Sequence, residues 1–233
     1  METDDIAARP GLFVTGTDTG VGKTAVTLGI MRGLQRRGRK VVAMKPIASG
    51  CERTGDGLRN DDALQLQAQA SVQLAYEQVN PYAFAPAIAP HVAAREAGLE
   101  MRVQTVVERY RAMPVDADCV LVEGVGGWLV PLDRDRTLED LAKGLRLPVV
   151  LVVGMRLGCL NHALLTQRAV AASGLALAGW VANVIDPAME RIRENIETLR
   201  QWLPEPLLGQ IPYLDEPRPG AVADYLDIGQ LSF

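Results

Sequence analysis

Short apolar runs recur along the chain and are separated by longer stretches in which polar and apolar residues follow helical spacing. Each run is almost wholly apolar, as in the strands of a parallel sheet that helices cover on both faces. The runs that predict strands cover residues 12–15, 41–44, 119–122, 148–153, 177–182 and 207–209. Strands that alternate with helices in this way predict an α/β fold with a single doubly wound, mainly parallel sheet flanked by helices.

Between the strands, apolar residues lie three and four positions apart, which predicts amphipathic helices. The first begins at Lys23 and ends before Gly38, a residue type that commonly follows a helix. Further helices are predicted at about 61–70, 104–113, 159–173 and 187–202. Residues 46–61 are rich in glycine and polar side chains and predict a loop, and prolines interrupt the segment 81–90.

Composition and charge narrow the class of protein. We expect residues 1–10 to form a flexible lead-in and residues 11–233 to form a single domain, since no repeat or linker divides them. The formal net charge of −4 argues against a nucleic-acid-binding surface. The three cysteines include no CxxC pair, so a reducing compartment is expected. No apolar run approaches the ~20 residues of a membrane helix, and we therefore expect a cytoplasmic protein.

A glycine-rich stretch joins the first predicted strand to the first helix, and its sequence from position 16 to position 24 is GTDTGVGKT. This is the context that a phosphate-binding loop of the Walker A type requires. Backbone N–H groups and the helix N-terminus face phosphate oxygens there, Lys23 adds a cation, and Thr24 offers a hydroxyl to Mg²⁺. Five residues separate Gly16 from Gly22, one more than in the usual spacing.

Polar residues also end other predicted strands. Lys45 follows the second strand, Glu123 ends the third before a glycine-rich run at 124–127, and Asn183 follows the fifth. Ligands of doubly wound sheets bind at the carboxyl ends of the strands, so these groups predict one shared crevice. Lys45 would place a second cation at a transferred phosphoryl group, and Glu123 occupies the position of a metal-binding carboxylate.

The loop after the second strand adds further candidates. Ser49 and Gly50 could hold a small acid through a hydroxyl and a closely approaching backbone. Asp61 and Asp62 begin the next predicted helix, and the residues alone leave open whether they cap that helix or bind a ligand.

Eight segments match the motifs of one enzyme family: GTDTGVGKT at 16–24, KPIASG at 45–50, GLRNDD at 57–62, VNPY at 79–82, PH at 90–91, LVEGVGGW at 121–128, GCLNH at 158–162 and GWVAN at 179–183. Together they resemble the dethiobiotin synthetase family, which belongs to the P-loop NTPases. The resemblance extends from about residue 13 to about residue 214, and the five-residue spacing in the phosphate loop is this family's own pattern.

The resemblance implies a reaction. Members of the family convert 7,8-diaminononanoate and CO₂ to dethiobiotin, with ATP as co-substrate and with ADP and phosphate as products. One amino group takes up CO₂ as a carbamate, a carbamate oxygen attacks the γ-phosphate, and the neighbouring amine closes a cyclic urea on the resulting anhydride. The chain is therefore expected to be a Mg²⁺-dependent ligase of biotin biosynthesis and to form a homodimer.

The resemblance also implies roles for individual residues. The expected catalytic residues are Lys45, Lys23 and Thr19. The expected magnesium ligands are Thr24, Asp62 and Glu123.

Two further groups of residues follow from the same resemblance. Ser49 and Thr19 would contact the diamine, and Asn161 would reach its carboxylate end from the other subunit of the dimer. Asn183 would contact the adenine edge with help from the turn at 212–214. The expected nucleotide-binding residues are Gly20, Val21, Gly22, Lys23, Thr24, Ala25, Asp62, Glu123, Gly124, Val125, Gly126, Asn183, Pro212, Tyr213 and Leu214.

The chain departs from the family pattern at two places. Gly20 stands where some members have glutamate, and residues 215–219 leave open which of them would approach the adenosine, so selection among nucleoside triphosphates is also open. An alternative function is that of a nucleotide-dependent switch ATPase of the partitioning type. Such proteins usually have an extra lysine early in the loop, where this chain has Thr17, Asp18 and Thr19. A cobalamin-type amidase would need a further glutamine-hydrolysing domain, for which this chain is too short.

Overall fold

The structure is a computed structural model that describes residues 10–231. The expected lead-in at 1–10 lies outside the described residues except for Pro10. The described strands are β1 (Gly11–Gly16), β2 (Val41–Met44), β3 (Ile47–Ser49), β4 (Glu52–Thr54), β5 (Gly57–Arg59), β6 (Tyr82–Phe84), β7 (Cys119–Glu123), β8 (Val149–Met155), β9 (Leu177–Val184) and β10 (Leu207–Ile211).

The helices alternate with these strands along the chain. They are α1 (Lys23–Arg36), α2 (Asp61–Gln69), α3 (Tyr76–Val79), α4 (Pro90–Glu96), α5 (Val103–Arg111), α6 (Leu138–Leu145), α7 (Cys159–Ala172), α8 (Ile192–Trp202) and α9 (Pro219–Ala223). Within residues 10–231, no helix is both long enough and apolar enough to cross a membrane.

Six strands form one parallel sheet in the order β10-β9-β8-β1-β7-β2. Every residue of β1, β2, β7 and β8 is buried, which explains why their sequences are apolar without alternation. Leu151 and Val153 of β8 pack with α7 and α8, whereas Val150 and Val152 join the larger core cluster. The sheet is thus covered on both faces, and the prediction of a doubly wound α/β fold is confirmed.

Two connecting segments differ from the predictions. Residues 46–61 contain β3, which pairs with β6, and the hairpin β4–β5, rather than a loop alone. These strands have only three residues each, so they are too short for a periodic pattern to predict them. The segment around 81–90 holds β6 and the start of α4, whose first residue is Pro90, a favoured first helical position for proline.

Three helix and strand boundaries also differ. The helix predicted at 187–202 begins only at Ile192, because Arg191 precedes it with a left-handed backbone (φ 57°). β9 continues through Asn183 to Val184 instead of ending at residue 182. Helix α6 was not predicted; Asp140 accepts a hydrogen bond from the Thr137 backbone N–H at 2.7 Å and caps its start.

Candidate active site

The phosphate loop lies at the centre of the sheet, at the carboxyl end of β1. Val152 of β8 pairs with Gly16, and its carbonyl oxygen accepts a hydrogen bond of 3.0 Å from the Thr17 backbone N–H. β7 lies on the other side of β1, and β2 follows β7. Glu123 therefore ends the strand next to the loop, and Lys45 follows the strand one position farther along the same edge of the sheet.

Asn183 joins the phosphate loop to the β9 side of the sheet. Its Nδ2 donates to the carbonyl oxygen of Val21 at 2.9 Å, and the bond is buried. Gly22 has a φ of 87°, and a Cβ at that position would lie 2.2 Å from Asn183 Nδ2. Only glycine permits both this backbone conformation and the close approach of the amide. The bond uses the donor of Asn183, so its Oδ1 is left to accept from a ligand.

Lys23 begins α1 and is buried beneath the loop. Its Nζ donates to the carbonyl oxygen of Asp18 at 2.9 Å. Burial lowers its pKa from 10.5 to about 8; the carboxylate of Glu123 opposes this effect and the ammonium of Lys45 adds to it. Although three carboxylates lie near enough to act on it, Lys23 is a buried cation, and such a group is a strong binding group for an anion such as a phosphate.

Lys45 and Glu123 form the buried part of the site. Lys45 Nζ donates to Glu123 Oε1 at 2.6 Å and also to Asp62 Oδ2. Thr24 Oγ1 donates to the same Glu123 oxygen at 2.8 Å. Glu123 is completely buried, while the Asp62 side chain is 39% exposed. The structure thus brings together the lysine, the two carboxylates and the hydroxyl that the sequence pointed to.

The ion pairs keep Lys45 charged. Burial alone would lower its pKa, but the carboxylates of Glu123 and Asp62 outweigh that effect through their charges and hydrogen bonds, and the pKa is raised above 10.5. Lys45 is therefore a permanent cation at neutral pH, whereas Lys23 titrates closer to it. A ligand would thus meet one lysine that stays charged, Lys45, and one whose charge depends on pH near 8, Lys23.

The contacts of α2 distinguish Asp61 from Asp62. The helix is capped by the residue before them, because Asn60 Oδ1 accepts from the Ala63 backbone N–H at 3.2 Å. Asp61 Oδ2 accepts from Gln65 Nε2 at 2.8 Å on the exposed face. Asp62 faces Lys45 and belongs to the site.

The glycine-rich segment after β7 lies against the phosphate loop. A Cβ at Gly127 would lie 3.7 Å from the Gly16 carbonyl oxygen, and one at Gly126 would lie 3.6 Å from Thr19 Oγ1. Ser49 Oγ, at the end of β3, is buried and has no hydrogen-bond partner among the described residues. A hydroxyl in that state is available to a ligand.

The remaining predicted residues lie farther along the edge. Ile211 of β10 pairs with Asn183, so the turn at 212–214 begins next to that amide. Pro212 and Tyr213 are exposed there. Asn161 lies exposed in the first turn of α7. The predicted nucleotide residues thus lie on segments 20–25, 123–126 and 212–214, together with Asn183 on β9 and Asp62 on α2.

Four residues of this region were not predicted. Asp18 accepts from the guanidinium of Arg156, directly after β8, and from the Thr19 backbone N–H at 2.7 Å. Asn80 Nδ2 donates to the Lys45 carbonyl oxygen at 2.6 Å, and the Tyr76 hydroxyl donates to Asn80 Oδ1 at 3.0 Å. Arg156 could have been found as a polar residue at a strand end. Asn80 lies within the VNPY motif at 79–82, which could have drawn attention to it, whereas for Tyr76 the sequence offers no signal.

Known families and proteins match this chain over most of its length. Residues 10–219 match the family described as AAA domain. The ATP-dependent dethiobiotin synthetase of Pseudomonas aeruginosa strain UCBPP-PA14 is 57% identical over 223 residues, which are 95% of this chain and 98% of that protein.

This chain belongs to the dethiobiotin synthetase family.

Solved structures of more distant proteins share the fold of this dethiobiotin synthetase family member. Cobyrinic acid a,c-diamide synthase from Mycobacterium smegmatis, solved with ADP and magnesium, matches with a TM-score of 0.58 at 18% identity, over 93% of this chain and 91% of that one. The septum site-determining protein MinD from Pyrococcus horikoshii, solved with Mg-ADP, matches with a TM-score of 0.54 at 16% identity, over 95% and 88%. At such identities the likeness concerns the fold alone, so it does not favour the switch ATPase.

Proposed function

We propose that this chain is an ATP-dependent cyclo-ligase that converts 7,8-diaminononanoate and CO₂ to dethiobiotin, with ADP and phosphate as the other products. Membership of the dethiobiotin synthetase family supports the activity. The observation that supports the chemistry best is the buried group formed by Lys45, Glu123 and Asp62 next to the phosphate loop. It provides a fixed cation where a phosphoryl group would be transferred.

The reaction requires two anions to meet, because both the carbamate and the triphosphate are negatively charged. A carbamate oxygen forms a bond to the γ-phosphorus, and the bond from that phosphorus to the β–γ bridging oxygen breaks, which releases ADP. Lys23 and Lys45 are both buried, so their charges act in a medium of low dielectric constant. Charge stabilisation and positioning of this kind supply most of the catalysis in phosphoryl transfer.

Ring closure follows on the carbamic-phosphoric anhydride. The second amine forms a bond to the carbonyl carbon, the bond from that carbon to the phosphate oxygen breaks, and the amine proton passes to solvent. We assign the diamine to Ser49, whose buried hydroxyl has no partner among the described residues, and to Thr19 on the phosphate loop. Neither step needs a dedicated general base, and we assign none.

We further propose that Mg²⁺ is bound by Thr24, Asp62 and Glu123. The donor set fits, since hydroxyl and carboxylate oxygens are the ligands that Mg²⁺ prefers, and the buried Glu123 Oε2 has no partner among the described residues. Between residues 10 and 231, no group of three or more His, Cys, Asp or Glu residues converges on a metal position. Phosphate oxygens and water would complete the shell, and the ion would neutralise charge on the β- and γ-phosphates.

We propose that the protein acts as a homodimer in which Asn161 reaches the carboxylate end of the diamine bound to the other subunit. Asn161 is exposed, and Leu157 and Leu165 on either side of it are 96% and 58% exposed. Exposed apolar side chains such as these are buried when subunits associate, which supports a subunit contact on this surface. We also propose a single domain from residue 11 onward and a cytoplasmic location, which the three free, buried cysteines support.

The proposal is tested by phosphate release from Mg-ATP and bicarbonate, with and without 7,8-diaminononanoate, and by the mass of the product. We expect release that depends on the diamine and a product with the mass of dethiobiotin. Phosphate release at the same rate with and without the diamine, with no cyclic urea formed, would refute the proposal and favour a switch ATPase.

A further inference from the structure

Lys45 is held by its main chain as well as by its ammonium group. Its backbone N–H donates to the carbonyl oxygen of Val79 at 2.9 Å, and its carbonyl oxygen accepts from Asn80 Nδ2 at 2.6 Å. Val79 ends α3 and Asn80 follows it, and both residues are buried. Both backbone groups of Lys45, which directly follows β2, are therefore hydrogen-bonded to the C-terminal end of α3.

The hydrogen bonds continue from α3 to α2. The Tyr76 hydroxyl donates to Asn80 Oδ1 at 3.0 Å and accepts from the Asn60 backbone N–H at 2.7 Å. Asn60 is the N-cap of α2, whose second residue is Asp62. Asp62 in turn accepts from Lys45 Nζ. The contacts thus form a closed circuit that leaves Lys45 through its carbonyl oxygen and returns to its ammonium.

The Tyr76 ring is fixed in this circuit. Tyr76 is only 6% exposed, and the Arg59 guanidinium lies over its ring, 4.2 Å from the centroid. Burial raises the pKa of the phenol, although its hydrogen bond from Asn60 opposes this. The hydroxyl therefore keeps its proton and can donate to Asn80 throughout the neutral pH range.

We propose that Tyr76 and Asn80 are positioning residues for the phosphoryl transfer, an inference that rests on the proposed function. They set the distance between the end of β2 and the start of α2, so that the Lys45 ammonium and the Asp62 carboxylate face the phosphate loop together. Neither side chain touches the reacting groups. Their effect passes through the Lys45 carbonyl oxygen and the Asn60 N–H.

The test compares Tyr76→Phe with Tyr110→Phe. Both tyrosines are 6% exposed, but Tyr110 packs beside Gly11, at the end of β1 opposite the phosphate loop. We expect Tyr76→Phe to lower kcat by at least about tenfold, since small displacements of a reacting group have effects of that size, with the KM for ATP within about threefold. We expect Tyr110→Phe to keep kcat within about twofold at the same temperature, whatever stability it loses.

A second variant tests the other hydrogen bond of the circuit. Asn80→Asp keeps the size and the acceptor for Tyr76 but turns an oxygen, instead of an N–H, toward the Lys45 carbonyl. It should show the same loss of kcat. The Tyr76→Phe/Asn80→Ala double variant should lose no more than the worse single variant, because both belong to one circuit.

Amide hydrogen exchange provides a readout that does not depend on the reaction. The Asn60 amide should exchange faster in Tyr76→Phe than in the unsubstituted protein, and unchanged exchange would overturn the circuit. A kcat within twofold of the unsubstituted protein, or a rise in the KM for ATP alone, would overturn the positioning role. Failure of the proposed function is a different outcome, because the unsubstituted protein would then release phosphate without the diamine.

Discussion

The site has two ends that are built differently. At the β2 and β7 end, Lys45 and Glu123 are buried and bonded to each other, and Asp62 adds a second carboxylate. At the β9 and β10 end, one buried amide, that of Asn183, contacts the phosphate loop, and the adjoining turn at 212–214 is largely exposed. The first end is a network of charges, and the second is a single polar group beside an open surface.

The difference indicates what each end can control. Buried charges that are bonded to one another have few alternative positions, so they suit a step in which charge must be stabilised at a set point. A single amide with one free acceptor distinguishes bases only weakly, since few buried polar groups would be left unpaired by a wrong base. We therefore expect the β2 and β7 end, the reaction end of the site, to determine kcat. We expect the β9 and β10 end, near the nucleotide base, to determine the affinity for the nucleotide.

The largest effect is expected for Lys45→Ala. Loss of a buried cation at the transferred phosphoryl group should lower kcat by at least about 100-fold. Lys143→Ala is the matched control, since Lys143 pairs with Glu139 on α6 and its side chain is 43% exposed. Steady-state rates with saturating diamine and ATP measure both. A kcat within tenfold of the unsubstituted protein would mean that the reaction end does not stabilise the transferred charge.

The same substitution also tests the network. Glu123 would remain buried without its ammonium partner, which should reduce the free energy of unfolding by roughly 3–5 kcal/mol. The double variant Lys45→Ala/Glu123→Gln removes both charges and should recover much of that stability without recovering kcat. Thermal and urea unfolding of both variants would measure the recovered free energy of unfolding. Equal stability of the single and double variants would contradict the idea that Glu123 depends on Lys45.

The next largest effect is expected for Gly22→Ala. The new Cβ would lie 2.2 Å from Asn183 Nδ2 and would force the amide away from the loop, so the KM for ATP should rise at least about tenfold. Gly38→Ala is the control, because Gly38 also has a positive φ, 79°, but has no atom within 4 Å of such a Cβ. It should lose stability only. An equal rise in the KM for ATP in both variants would show that strain of a left-handed backbone, rather than the Asn183 contact, weakens nucleotide binding.

A smaller effect is expected in the uptake of protons when ADP binds. Because burial lowers the pKa of Lys23 to about 8, part of the free protein lacks this charge at that pH, and bound phosphates should restore it. ADP binding should therefore take up as much as about half a proton near pH 8 and almost none near pH 6. Calorimetry in buffers of different ionisation enthalpy measures this. Lys23→Arg should abolish the uptake, and an unchanged uptake in that variant would assign the proton to another group.

The same pKa has a consequence for stability. The folded chain releases the Lys23 proton near pH 8, whereas the unfolded chain keeps it until about pH 10.5. Between these values the folded state binds fewer protons, so the contribution of Lys23 to stability rises with pH across that window.

The smallest effect is expected for Arg156→Ala. Arg156 pairs with Asp18 of the phosphate loop, but their side chains are 41% and 46% exposed, and such pairs contribute about 1 kcal/mol or less. The KM for ATP should rise less than about threefold, and the rise should shrink at high salt. Arg218→Ala, which breaks an exposed pair with Glu216, is the control. A tenfold rise in the KM for ATP would show that Arg156 orders the phosphate loop. The network of charges at the reaction end would then extend toward β8.

Most of the longer strands and helices were predictable to within about five residues, but the eight-residue α6 was missed although its apolar residues follow helical spacing. The six strands of the parallel sheet were all indicated by short apolar runs, because strands covered by helices on both faces have mostly apolar sequences. The phosphate loop was predictable for another reason: its groups are neighbours along the chain, so the motif contains the whole arrangement. Short strands such as β3 and β6 and the four-residue α3 were not predictable, since three or four residues contain no period.

The sequence by itself determined the individual strands of the sheet, the phosphate loop and the candidate polar residues, because each of these depends on residues that lie close together in the chain. The tertiary structure decided how these residues meet. Lys45 lies 17 positions from Asp62 and 78 from Glu123; the pairing of β7 with β2 brings Glu123 to Lys45, and the packing of α2 against β2 brings Asp62 there. The circuit through Tyr76 and Asn80 depends on the same packing, since hydrogen bonds between separate elements leave no periodic trace in the sequence.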